Sequence, residues 1–146
     1  EEVGKIYAIF VVVGDSRRGD LESLKIGARG EGLVPMPLGE DLDVGSNVHA
    51  LTHPAGDPYV DTSGVVSRTF IKGSGNPFGN RGEITADFAK GSSGGPIMDD
   101  RGNMVAMVSC LHPIYYVDQP PSDRQMGIKE CIPVSSIVRL MRKLEK

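Results

Sequence analysis

Cysteine, charge of one sign and long apolar runs are all scarce in this chain. Sixteen Lys and Arg stand against nineteen Asp and Glu, a formal net charge of −3 with the signs interspersed. That balance excludes a basic face for nucleic acid and a polybasic run for an anionic membrane. The longest apolar stretch, Ile6 to Val13, reads as a buried strand. It is too short to span a bilayer or to form a signal-peptide core with its flanks. The two cysteines, Cys110 and Cys131, are spaced neither as a metal site nor as a redox motif. They read as buried free thiols, cysteine often acting as a small hydrophobe. The alternative is one disulfide stapling two late strands in an oxidising compartment. No internal repeat and no low-complexity tract is present.

What is abundant is punctuation. Nineteen glycines and ten prolines in 146 residues, with few long periodic segments, predict a turn-rich, mostly β chain, long enough for one core or for two small barrels packed together. Residues 5–13 and 20–26 read as strands around a charged turn from Gly14 to Gly19. Residues 27–46 form a loop with a turn at 43–46, and Val48 to Leu51 is a short strand. The cluster Pro54-Ala55-Gly56-Asp57-Pro58 is the best internal boundary. Tyr59 to Lys72 is extended, Gly73 to Gly82 reads as a flexible loop with no regular structure, and residues 104–110 and 126–132 read as late strands joined by a loop from His112 to Gln125. The tail differs in kind. Ile137, Leu140, Met141 and Leu144 recur at helical spacing, with Ser135 and Ser136 as N-cap candidates and basic residues at the far end.

The residues that carry chemistry are Gly91-Ser92-Ser93-Gly94-Gly95-Pro96. A serine among glycines sits on a sharp turn with its hydroxyl exposed, and the glycines leave room for a carbonyl to approach backbone N–H groups. On its own such a cluster is more often an ordinary turn. Here it lies between β-like segments, which makes Ser93 the candidate nucleophile.

With these residues in view, the chain resembles a trypsin-like (chymotrypsin-fold) serine peptidase of the bacterial HtrA-type branch, from about residue 20 to residue 144. The 91–96 segment looks like the nucleophile motif, with Ser92 where the family usually has Asp or Asn. Asp20-Leu21-Glu22-Ser23-Leu24-Lys25-Ile26 looks like the motif of the triad aspartate, although Glu22 and Ser23 replace residues that are usually small and apolar. Residues 44–56 resemble the closing strand of a first barrel, residues 62–67 the opening strand of a second, and Val108-Ser109-Cys110 the strand along which substrate backbone pairs. The resemblance implies an all-β, two-barrel fold with an incomplete first barrel over residues 1–56, a second over 57–146 and a terminal helix at about 135–145. It implies an oxyanion hole at the N–H groups of Gly91 and Ser93, and a substrate pocket near Asp87, Ser109, Cys110, Leu111 and Gly127. No cofactor and no metal are expected. The expected partner is a peptide or protein substrate, in an extracytoplasmic (periplasmic or secreted) setting.

The family's triad histidine lies upstream of the aspartate, and none precedes Asp20 here. The expectation is therefore a peptidase domain, inactive or incomplete without its histidine segment, or else a non-catalytic relative serving as a binding or scaffold module. An order Asp20, His53, Ser93 matches the subtilisin type, but the α/β architecture that goes with that order is absent. His49 and His53 as a metal pair fare no better, since four residues along a strand span about 13 Å. His112 is expected in a loop at the rim of the groove. Asp87, six residues before Ser93, either floors a pocket for basic side chains or caps its own turn beside an apolar pocket. Missing strands would leave exposed edges, which invite self-association.

Overall fold

The computed structural model describes residues 9–16, 20–26, 34–116 and 124–144 of the 146. The expected strand residues 5–8, residues 17–19 of the first turn, residues 27–33 of the first long loop and 117–123 of the late one lie outside these, while residues 14–16, read as turn, continue the first strand. Among the described residues, eight strands and one α-helix follow in chain order: β1 (Ile9–Ser16), β2 (Leu21–Ile26), β3 (Asn47–Thr52), β4 (Val60–Ile71), β5 (Asn80–Ile84), β6 (Pro96–Met98), β7 (Met104–Tyr115), β8 (Arg124–Pro133) and α1 (Val134–Leu144). β1 and β2 form a two-stranded antiparallel sheet, and the other six close into a barrel in the order β3-β4-β5-β8-β7-β6. This is the all-β, chymotrypsin-like architecture, with one closed barrel and a separate two-stranded sheet.

Alternation explains the barrel. On β3, Val48, Ala50 and Thr52 point inward and are almost wholly buried. Val48 and Ala50 meet Val66, Ile84, Ile97, Val105, Val108 and Cys131 in one apolar core. The mouth of this interior is an apolar cavity of about 360 Å3 that touches Val48, Val66, Ile84, Ile97 and Val105 and none of the candidate site residues. A second cluster joins the parts: Leu21 of β2 packs with Phe78, Ile132 of β8 and Leu140 of α1. An isolated two-stranded sheet is marginal in water, so this contact holds β1–β2 in place.

Several expectations are corrected. β3, read as closing a first barrel, pairs with β4 and β6 inside the six-stranded barrel. The Pro54–Pro58 cluster is thus the turn of a β3–β4 hairpin, built around a 3-10 turn at Pro54–Gly56. Residues 80–82, read as loop, begin β5 and pair with Phe70, Ile71 and Thr69. Gly82 is there because a Cβ would stand 2.9 Å from the Cys131 sulfur on the neighbouring strand. The helix occupies its expected place, but its first turn is tied by Asp41, whose Oδ1 accepts the Ser135 N–H at 2.9 Å. Ser136, an N-cap candidate, is buried within the helix. The two cysteines are free thiols as expected, but only Cys131 is buried and Cys110 is partly exposed.

Candidate active site

Asp20 stands at the turn into β2 with φ +57°, a left-handed conformation that Asp tolerates better than most residues. Its Oδ2 accepts a hydrogen bond from the Ser109 hydroxyl at 2.8 Å. Ser109 lies on β7 where the β7–β8 register shifts between Val108 and Cys110. Such a bulge leaves one residue unpaired and re-aims its side chain. The carbonyl of the same residue accepts a hydrogen bond from Ser93 Oγ at 3.1 Å. One residue of β7 therefore links the candidate aspartate to the candidate nucleophile, its hydroxyl toward the first and its carbonyl toward the second.

The loop that presents Ser93 is fixed at both ends. Lys90 accepts the Ala55 N–H at 2.7 Å, Gly94 donates to Val108 at 2.9 Å and Gly95 accepts from Val108 at 2.9 Å. Ser92 is the inner anchor. It is 2% exposed. Its N–H donates to Ala89, its carbonyl accepts from Gly95, and its hydroxyl accepts the Ala89 N–H. Gly91 is required: its φ is +97°, and a Cβ would lie 2.8 Å from the His53 carbonyl oxygen. Among the described residues, the N–H groups of Gly91 and Ser93 donate to no backbone carbonyl.

All three histidines are engaged away from Ser93. His49 on β3 has Nδ1 at 3.2 Å from the Ser63 hydroxyl and lies near Asp61 and Asp100. His53 Nδ1 accepts the Tyr59 N–H, and its ring meets the Tyr59 ring edge-on. His112, expected in a loop, is a strand residue because β7 runs to Tyr115. Its Nε2 lies 3.1 Å from Cys110 Sγ and 3.3 Å from Glu130 Oε2.

Asp87 caps no turn. Its Oδ1 pairs with Lys129 Nζ at 2.7 Å, while its carbonyl accepts from the Thr62 hydroxyl. Asp87, Phe88, Leu111, Arg124 and Thr62 line one shallow groove. Gly127 borders it: a Cβ there would meet the Arg124 guanidinium at 2.5 Å and Leu111 at 3.5 Å. Of the residues named from sequence, Asp20, Ser93 and Ser109 are brought together directly. Asp87, Leu111 and Gly127 share the neighbouring groove, and Cys110 turns instead toward His112 and Glu130. The link through Ser109 carried no sequence signal, since it depends on a register shift.

The family model for the trypsin-like peptidase domain matches residues 2–107. The chain belongs to the trypsin-like peptidase family. Protease Do-like 5, chloroplastic, of Arabidopsis thaliana is 31% identical to this peptidase domain over 133 residues, 88% of this chain and 40% of that protein. "Probable periplasmic serine endoprotease DegP-like" of Brucella suis is 31% identical over 137 residues, 92% of this chain and 25% of that protein. The chain thus spans well under half the length of these curated relatives. Among solved structures, the HtrA-type protease AlgW with a tripeptide aligns at TM-score 0.72 and 26% identity, over 91% of this chain and 42% of that one. The crystal structure of Deg5 aligns at 0.64 and 28%, over 88% and 56%. The peptidase domain is of the HtrA type.

Proposed function

We propose that this trypsin-like domain is a serine endopeptidase that cleaves peptide bonds through an acyl-enzyme on Ser93. The observation that carries this reading is the linkage of Asp20 to Ser93 through Ser109. Ser93 Oγ attacks the scissile carbonyl. The N–H groups of Gly91 and Ser93 receive the developing oxyanion, each such donor lowering the barrier by roughly 3 kcal/mol. An imidazole takes the Ser93 proton and returns it to the leaving amine, with Asp20 holding the tautomer and stabilising the charge. Since His49, His53 and His112 are all bonded elsewhere, that imidazole comes from residues outside these 146, and these residues alone are inactive.

The substrate is an extended peptide. β6 pairs with β7 only as far as Met107, which leaves Ser109, Cys110 and Leu111 as backbone for a peptide strand to join. In the adjoining groove the Asp87 carboxylate is already neutralised by Lys129, which favours an uncharged side chain over Lys or Arg. β1 and β2 are two strands of a first barrel, and their outer edges invite pairing with another strand, including one from a second copy. An extracytoplasmic setting agrees with the periplasmic relative, and no described helix is long and apolar enough to cross a membrane.

The test is intact mass after a fluorophosphonate probe, applied to the native protein that carries these residues, to its Ser93→Ala variant and to the 146-residue chain. An adduct on the native protein alone is expected. Labelling of the 146-residue chain would place the base among His49, His53 and His112. A native protein that takes no adduct would instead be a binding module that keeps the serine without a working triad.

A further inference from the structure

Beside the substrate-pairing backbone of β7, three side chains with lone pairs that the proposed reaction does not use converge on one point. Cys110 and His112 are two apart on β7, so they share a face of the strand. Glu130 lies directly across the ladder from Cys110 on β8. The Cys110 sulfur, His112 Nε2 and a Glu130 carboxylate oxygen all lie within 4.8 Å of one another. The bulge at Ser109 creates this grouping. Val108 pairs with core-facing Cys131, and the register shift then sets Cys110 opposite Glu130, the neighbour of Cys131 on the other face of β8.

We propose that Cys110, His112 and Glu130 form a binding site for a divalent transition-metal ion of zinc's class, with solvent in the fourth position. The donor set is thiolate, imidazole and carboxylate, the mixture such ions take. Tetrahedral zinc sets its sulfur and nitrogen ligands about 3.6 Å apart and its nitrogen and oxygen ligands about 3.4 Å apart, from the usual bond lengths. The sulfur–nitrogen and nitrogen–oxygen separations here are 3.1 and 3.3 Å, so an ion enters with shifts of a few tenths of an ångström. Without an ion, His112 Nε2 meets the Cys110 thiol and a Glu130 carboxylate oxygen at once.

The surroundings fit an ion rather than block it. Arg81 donates from Nε to Glu130 Oε1 at 2.9 Å and from Nη1 to the carbonyls of Phe78 and Asn80, which fixes the carboxylate and leaves Oε2 toward His112. Lys72 Nζ also reaches both Glu130 oxygens, but its side chain is half exposed and can swing into solvent. His112 is equally exposed and gives the entry path. On binding, the thiol proton leaves to solvent and the sulfur–metal bond forms in its place. Cys131 is no rival ligand, being 3% exposed and packed in the barrel core.

The test uses Co2+ alone, added to the native protein previously treated with a chelator. One equivalent is expected to bind with a thiolate-to-cobalt charge-transfer band, and Zn2+ is expected to displace it. The band should vanish in Cys110→Ala. In His112→Ala, an exposed substitution that leaves the fold intact, affinity should fall by more than the roughly 10- to 100-fold that losing an outer partner costs. His49→Ala should bind as the native protein does. A band that survives Cys110→Ala, unchanged affinity in His112→Ala, or no saturable Co2+ binding would each overturn the site.

Discussion

Thr52 sits at the last position of β3 with its side chain wholly buried, and its hydroxyl has no partner among the described residues. Its methyl lies 3.0 Å from where a Cβ on Gly95 would stand, so it packs directly beneath the loop that carries Ser93. A buried hydroxyl without a partner costs about 1–3 kcal/mol of desolvation. Thr52→Val keeps the shape and removes that cost, so the variant is expected to be more stable by about 1 kcal/mol, read as a higher denaturation midpoint in urea at unchanged slope. A lower midpoint would mean the hydroxyl has a partner that holds the loop. At this scale the candidates Ser93 and Asp20 were legible through glycine punctuation and a local motif, and the structure links them through Ser109. The contacts of Ser109, Cys110 and His112 were not legible. Their roles depend on which way each side chain faces, and a one-residue bulge resets that.

At the level of elements, β5 and β8 are joined by more than their ladder. Arg81 and Glu130 are each about 5% exposed and paired at 2.9 Å, bringing a full charge of each sign under Lys72 and His112. Burial alone would raise the Glu130 carboxyl, but Lys72, His112 and Arg81 overcome it and hold the carboxyl below its ordinary value of 4.5. Removing one partner of such a pair strands the other, so Arg81→Met is expected to cost about 3–5 kcal/mol near neutrality. A lowered folded value means that the stabilisation is present above about pH 4.5 and is lost as the pH falls through it. The difference in melting temperature between Arg81→Met and the native chain should therefore shrink on acidification. A gap that stays constant would show that packing, not charge, accounts for the loss. The strand holding Arg81 was hidden in the sequence behind Gly73 to Gly79, since glycine and asparagine read as loop whether or not a ladder follows. β4 and α1 were legible because their periodicities run long enough to survive local exceptions.

For the molecule as a whole, the barrel closes on itself while β1 and β2 pair only with each other among the described residues. Leu21 ties that pair to Phe78, Ile132 and Leu140, yet each strand keeps an outer edge with N–H and C=O groups to offer. Edges of this kind recruit further strands. The 146-residue chain by itself is expected to elute in size-exclusion chromatography above its 15.6 kDa mass, with the larger species growing on concentration. A concentration-independent compact monomer would count against strand pairing at these edges. The two-barrel plan was legible because the motifs fall in order along the chain. The membership of β3 was not, because a short strand between turns carries no mark of the sheet it will join.

The order in which the barrel strands neighbour one another also bears on how the chain is made. β5 pairs with β8, setting Glu83 against Glu130, and β8 then pairs along its length with β7. A nascent chain emerging from its N-terminal end can form the β3–β4 hairpin early, but β5 has no second neighbour until Pro133 is free of the ribosome tunnel. Until then the apolar inner faces of β3, β4 and β5 lie open. Pairings so distant along the chain form slowly, and half-made sheets are prone to wrong partners. Synthesis rate and early protection by a chaperone should therefore govern the yield of this domain more strongly than its final stability does.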